Sequence, residues 1–263
     1  MWYKDGTEFK SVNGYDVDGA WYPRVTKILE IKSKPALDVF FKEMGSYASA
    51  EEVKNKSAQE GTLMHEAVQQ LLVGEEKEIS QEVRPGVAAF QIFNEERKIV
   101  FHPEFVERRI WSNRHKYAGT LDALAWVDGK FGVLDIKTST GFYPEYNLQT
   151  AAYVTALQEF EVKRMLALPR DIETRWILRI DQHRICGRCK ATLREKGGRA
   201  KIRSKSATRA VCTDANHEWG EREGDVELKE FPFVYKDMKA FVAAKILWEW
   251  ENDYWLKKIG YVK

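Results

Sequence analysis

The stretch that most constrains the fold runs from Tyr117 to Lys137, YAGTLDALAWVDGKFGVLDIK. It predicts two β-strands joined by a two-residue turn at Asp128-Gly129, because Asp-Gly readily supplies the positive φ angles of a tight hairpin. That turn sets the register. Val127 stands opposite Lys130, Trp126 opposite Phe131, and Asp122 opposite Asp135. Side chains alternate between faces, so Phe131, Val133, Asp135 and Lys137 point one way. Two carboxylates then face each other with Cβ atoms about 5 Å apart, which destabilises a sheet unless the repulsion is offset. A divalent cation with Lys137 beside it would offset it.

The same strand suggests which cation. Hard oxygen ligands from Asp122 and Asp135, with the Ile136 carbonyl as a further ligand, suit Mg²⁺ or Mn²⁺. Such ions polarise a phosphoryl oxygen and help generate a nucleophilic water. Lys137 would orient that water or stabilise charge developing on a phosphate. A solvated Asp/Lys cluster at a sheet end would also contain D-x-K, and it is the opposed Asp122 that favours the metal reading.

Along the rest of the chain, residues 7–32 predict short strands ending in YPRVTKILEI, with Pro23 at an edge or turn. Ala36 to Met44 predicts a short helix. Ala48 to Lys56 and Glu60 to Leu72 predict two more, the second with Met64, Val68, Leu71 and Leu72 on one face, His65 beside that stripe and Gly74 ending it. Ser80 caps a predicted helix over about 82–97. A strand over about 105–111 precedes the hairpin and carries Glu107, either an acid behind the metal ligands or half of a surface ion pair. After a polar loop over 138–143, Pro144 starts a helix to about Phe160. Strands are expected over 174–180 and 226–231, and a last helix over about 234–255. Within the 263 residues no apolar run approaches the ~18 residues of a membrane span, and the N-terminus lacks a signal-peptide core. Three cysteines make no disulfide framework, which predicts a reducing, cytoplasmic compartment.

The motifs in order resemble a known superfamily. Gly61-Thr62-Leu63-Met64-His65, Gly119-Thr120-Leu121-Asp122, Asp135-Ile136-Lys137 and Gln149-Thr150-Ala151-Ala152-Tyr153 are similar to the PD-(D/E)xK nucleases. The nearest-looking branch is the RecB-type exonucleases, with CRISPR-associated, phage and mitochondrial genome-maintenance members. The likeness covers about 60–160, and the opening YPRVTKILEIKSKPAL resembles that branch too. It implies an α/β fold: a restriction-endonuclease-like core with a central mixed sheet flanked by helices, and a helical segment over about 36–98. It implies that Asp122 and Asp135 ligate Mg²⁺ or Mn²⁺, that His65 completes the site, and that Lys137 is the catalytic lysine. The implied reaction is phosphodiester hydrolysis in DNA, with single strands or ends as substrate. Gln149 and Tyr153, four apart on one helix face, would position the strand or Lys137. On the residues alone Tyr153 is equally a core residue and His65 an ordinary helix histidine. Thr138, Ser139 and Thr140 would offer hydroxyls to phosphate.

Residues 182–222 form a predicted insertion between two strands of the nuclease domain (1–181 and 223–263). Cys186, Cys189, Cys212 and His217 give two close-spaced pairs suited to a tetrahedral Zn²⁺, as in a zinc ribbon; His183 is an alternative fourth ligand. A segment with few large apolar residues needs such a staple to fold. Three cysteines, all after the nuclease motifs, exclude the four-cysteine iron–sulfur cluster of some RecB-type enzymes. Between Arg184 and Arg209 ten Lys/Arg face one acid, a local +9 that leaves −7 elsewhere in a chain of net charge +2. That asymmetry fits an anionic partner or a solvated loop. With the resemblance, Lys201, Arg203 and their neighbours Arg194, Lys196, Arg199, Lys205 and Arg209 become candidates for DNA-backbone contacts. The zinc module is also a candidate protein-docking surface.

Overall fold

The computed structural model describes residues 3–32, 35–75, 78–204, 212–213 and 216–262. Lys205 and Arg209 of the basic run lie outside them.

Helix α1 (Gly6–Asn13) precedes the ribbon β1 (Gly14–Val17) and β2 (Ala20–Pro23), and α2 (Val25–Ile28) and α3 (Pro35–Glu43) follow. The expected strand content of 7–32 is therefore corrected at both ends: 6–13 is helical, and YPRVTKILEI is helical from Val25 on, through α2 and a 3-10 turn at Leu29–Ile31. Asp5 caps α1 by accepting the Glu8 amide at 2.9 Å, and the helix buries Phe9. The two helices expected over 48–72 are one helix, α4 (Tyr47–Leu72), capped by Ser46. Gly61 lies inside it, where a Cβ would stand 3.1 Å from Thr138 Oγ1. Helix α5 (Arg84–Arg97) starts two residues later than expected; Ser80 receives the Arg84 amide on its carbonyl at 3.1 Å.

Strand β3 (Val100–Phe101) is followed by a 3-10 turn at Pro103–Phe105, so the next strand, β4 (Arg108–Ser112), begins later than the apolar pattern suggested. The first arm of the hairpin is two strands, β5 (Tyr117–Leu121) and β6 (Ala123–Val127), with a bend at Asp122. β5 turns away to pair with β4, while β6 pairs with β7 (Lys130–Lys137). Trp126 stands opposite Phe131 and Val127 opposite Lys130, and Asp128 and Gly129 have φ of 50° and 80°. The two-residue turn and its register are thus as read. The ladder, however, stops at Ala123–Leu134, so Asp122 and Asp135 are not a ladder pair.

Helices α6 (Pro144–Leu157) and α7 (Phe160–Leu166) cross from β7 to the parallel strand β8 (Thr174–Cys186). Glu159 separates the two helices, where one helix to Phe160 was expected. β8 is about twice as long as the pattern predicted. It runs past residue 182, the expected edge of the insertion, because β11 (Trp219–Glu230) pairs with it from Trp176 to Cys186. The hairpin β9 (Thr192–Lys196) and β10 (Arg199–Arg203) completes a seven-stranded mixed sheet. The last helix is broken at Asn252, whose side chain bonds the Trp248 carbonyl at 2.8 Å, into α8 (Tyr235–Glu251) and α9 (Asp253–Lys258).

The fold is α/β: a mixed central sheet flanked by helices. Strand β7 is buried on both faces, which is why it reads as a near-continuous apolar run. Phe131 and Val133 pack with Tyr153, Leu157, Phe241 and Trp248 on one side. Leu134 and Ile136 pack with Met64, Val68 and Phe90 on the other. Asp135 projects toward the first layer, at the end of the strand where apolar packing gives way to a groove. No helix among the described residues is long and apolar enough to cross a membrane.

Candidate functional site

The site gathers where β7 ends, between α4, α6 and the β9–β10 hairpin. Asp135 is fully buried, and its Oδ1 accepts a 3.0 Å hydrogen bond from Gln149 Nε2. The same amide nitrogen donates to the Tyr153 hydroxyl at 3.0 Å. Gln149 and Tyr153 therefore act as a pair behind Asp135, and the ring of Tyr153 is core as well. Gly119 makes room for that ring. A Cβ there would lie 2.5 Å from Tyr153 Cε1, too close for any L side chain.

The other oxygen of Asp135, Oδ2, lies 2.7 Å from Lys137 Nζ. Among the described residues that ammonium is the one group set against this buried oxygen. Asp122, at the bend before β6, directs Oδ2 to the Ile136 amide at 2.6 Å and lies 3.9 Å from His65 Nδ1 on α4. The bend replaces the expected face-to-face pair with two carboxylates approaching one point from different strands. His65, Asp122, Asp135, Ile136 and Lys137 are brought together.

Their electrostatics follow from this geometry. Burial, countered by Lys137 and reinforced by Asp122, pushes the Asp135 carboxyl up to about 6. Burial likewise raises Asp122. Burial disfavours the Lys137 ammonium, but the two carboxylates outweigh it and hold the group above the ordinary lysine value. One ammonium thus serves two buried acids. His65 is pushed down to about 4 by burial and then by Lys137, so its ring is neutral at physiological pH and carries a free nitrogen lone pair.

Two joined cavities lead to this point. One, of about 560 Å³, lies along α4 beside His65, Gln69 and Glu107. The other, of about 830 Å³, runs past Phe40, Tyr143 and Lys196, and Lys137, Thr138, Ser139 and Tyr146 line both. Glu107 faces the site rather than a surface lysine. It bonds Gln69 through its side chain, its amide donates to the Asp122 carbonyl at 3.1 Å, and burial followed by Asp122 raises its carboxyl. Tyr146, whose ring centre is 5.1 Å from Lys137 Nζ, was missed. Its place one turn before Gln149 and two before Tyr153 on α6 was the available signal.

The hydroxyls of the loop after Lys137 are already engaged. Ser139 donates to the Gly141 carbonyl at 2.8 Å, Thr140 pairs with the Tyr143 hydroxyl at 2.9 Å, and Thr138 Oγ1 accepts from Lys196 Nζ at 2.8 Å. The basic hairpin is likewise partly committed. Arg194 Nε reaches both oxygens of Asp181 at 2.7 and 2.8 Å, and Arg199 pairs with Glu43 at 2.6 Å. Lys201 and Arg203 are exposed on β10.

The second site is the cysteine cluster. The ligand atoms of Cys186, Cys189, Cys212 and His217 all lie within 4.8 Å of one another, the cysteines buried. It is the one group of three or more such residues this compact among the described residues, and it can hold a metal such as zinc. His217 stacks on Trp219, ring centres 4.4 Å apart, and its Nδ1 is 3.3 Å from Cys189 Sγ. His183, the alternative ligand, instead stands opposite Glu223 in the β8–β11 ladder. Burial pushes the Cys186 thiol up, but amide groups of Cys189, Glu218 and Arg188 and the His217 ring outweigh it and bring it down to about 5. Cys212 is pushed up to about 11 by burial and by the neighbouring sulfurs.

No protein-family model matches this chain, and no curated protein matches it.

Proposed function

We propose that this protein is a metal-dependent DNA nuclease of the PD-(D/E)xK type, with Asp122, Asp135, Lys137 and His65 as its active site and Mg²⁺ or Mn²⁺ as its cofactor. One observation carries the reading. The buried Asp135 Oδ2 has the Lys137 ammonium, 2.7 Å away, as its one partner among the described residues, and that lysine also opens onto the groove. A purely structural Asp–Lys pair gains most when its remaining lone pairs are satisfied. A buried acceptor held by a lysine at the cavity wall, beside a second carboxylate and a neutral imidazole, belongs to a donor set that suits a hard divalent cation.

Asp135 and Asp122 would hold the ion, with the Ile136 carbonyl and His65 completing the set. The ion would supply Lewis acidity at the scissile phosphate and lower the pKa of a bound water. Gln149 fixes the rotamer of Asp135 through the 3.0 Å bond to Oδ1, and Tyr153 fixes Gln149. The Ile136 amide does the same for Asp122. Lys137, once its charge is not needed by Asp135, faces the groove, where its ammonium orients the attacking water or meets charge developing on the phosphate. The exposed cations of β10 supply backbone affinity without sequence preference.

The test is incubation of purified protein with end-labelled single- and double-stranded DNA in Mg²⁺, Mn²⁺ or EDTA. Hydrolysis should require the ion and fall by roughly 10²–10³-fold in Lys137→Ala and Asp135→Ala, with DNA binding retained. Intact DNA under every metal condition, with Asp135→Ala binding equally well, would leave a non-catalytic DNA-binding protein instead.

A further inference from the structure

The hairpin that follows the cysteine cluster reaches back into the acidic site. β9 starts at Thr192, three residues after Cys189, and the Cys186 amide closes the knuckle on the Ala191 carbonyl at 2.9 Å. β9 pairs with β8 only through Leu193 and Thr192. Its outer half is held by other means: Arg194 on Asp181, the Gly197 amide on Glu60 at 2.8 Å, and Lys196 on Thr138. Lys196 Nζ donates to both the carbonyl and the hydroxyl oxygen of Thr138, and Arg194 donates to the same carbonyl at 3.2 Å. Thr138 is the residue after Lys137.

Helix α4 closes the other side. A Cβ on Gly61 would lie 3.1 Å from Thr138 Oγ1, four residues from His65 on the same helix. The hairpin turn is seated on that helix too, for a Cβ on Gly197 would meet Ser57 Oγ at 2.1 Å and the Val53 carbonyl at 2.4 Å. The peptide following the active-site lysine is therefore gripped between α4 and two cations of the hairpin. These cations are spent on protein carbonyls and carboxylates, not left for a phosphate backbone.

We propose that Lys196 is a positioning residue that locks the Lys137–Thr138 peptide against α4, so that metal at the Cys186/Cys189/Cys212/His217 cluster governs the geometry of the acidic site. The proposal rests on the reading of Lys137 as an active-site group, but its first test does not. Lys137–Thr138 and Lys196–Gly197 are both trypsin bonds, and cleavage of a folded protein reports the population of the locally opened form. Brief trypsin exposure without DNA, with peptides quantified by mass spectrometry, reads each bond separately.

In metal-loaded protein both bonds should resist. In Lys196→Ala, cleavage after Lys137 should rise by roughly tenfold, the effect of losing hydrogen bonds from a charged donor. Lys196→Arg, which keeps a charged donor, should restore most of the protection. Chelating metal from the cysteine cluster of the wild-type protein should expose both bonds. Equal cleavage after Lys137 in wild type, Lys196→Ala and chelated protein would overturn the proposal. In turnover, Lys196→Ala should lower kcat with KM unchanged. A raised KM with unchanged cleavage would make Lys196 a substrate contact and would also overturn it. A protein inactive on every nucleic acid would sink the nuclease reading, while the cleavage pattern would still decide the clamp.

Discussion

Asp122 accepts the amide hydrogen of Ile136 at 2.6 Å, so one of the two acids that converge on Lys137 also holds the strand bearing the other. The bond ties the end of β7 to the bend where β5 leaves the sheet. It keeps two carboxylates close whether or not a cation sits between them, and that proximity should be visible in acid titration.

Asp135, raised from 3.8 to about 6, keeps a proton in the folded chain that the unfolded chain has lost. Its contribution to stability is therefore complete below about pH 4 and is lost as pH rises toward 6. His65, lowered from 6.5 to about 4, has the opposite sign: the unfolded chain holds the extra proton, so its contribution grows over about pH 4 to 6.5. Urea midpoints in EDTA at a series of pH values should show Asp135→Asn gaining stability with pH more steeply than wild type. His65→Asn should gain it less steeply. Curves parallel to wild type for both would show that neither group is perturbed.

Zinc binding should release protons. With Cys212 held up at about 11, the metal-free cluster carries that thiol protonated at pH 7, whereas Cys186, near 5, is already a thiolate. Calorimetry in buffers of different ionisation enthalpy should give release of about one proton or more per Zn²⁺, with affinity falling on acidification. Stoichiometry should be near one equivalent, and Cys212→Ser should abolish tight binding. Buffer-independent heats would contradict this account.

Gly119→Ala should cost about 1–3 kcal/mol of stability, the usual penalty for forcing a methyl into a packed core. The methyl meets the buried Tyr153 ring, which cannot retreat without disturbing Gln149 and hence Asp135. Combining it with Tyr153→Leu should recover part of the loss, because the two changes share one volume. Strict additivity in thermal unfolding would mean the collision is relieved elsewhere.

Lys201→Ala and Arg203→Ala should each weaken DNA binding at low salt and lower the slope of log affinity against log salt by about one. Arg199→Ala should lower it less, because Arg199 is paired with Glu43. Filter binding over a salt series distinguishes the three.

The hairpin register was legible because Asp128-Gly129 admits one turn and the period of two does the rest. The break at Asp122 was not, since nothing local in TLDAL says that β5 will find β4 instead of continuing. Helix α1 was misread because Phe9 is its one large buried side chain, leaving no apolar stripe to detect. The length of β8 was hidden for a similar reason: its outer half is only half-buried, and its partner β11 comes after the whole cysteine segment. The local charge count marked a basic segment correctly. It could not show that Asp181, Glu43 and Glu60, all outside the segment, engage Arg194, Arg199 and the Gly197 amide. Lys196 entered the site through a contact of that same long-range kind, with Thr138.

Strand β8 carries Ile177 beside Asp135 at one end and Cys186 at the other, without interruption. Its 13 residues make it a spacer whose length counts in units of one. A substitution between Asp181 and Ile185 leaves Cys186 in place, but a single-residue insertion there would turn Cys186 to the opposite face and carry it about 3.3 Å outward. The cysteine cluster and the acidic centre are thus bound to a common reading frame: sequence drift can alter either one, yet neither can slide along the strand independently of the other.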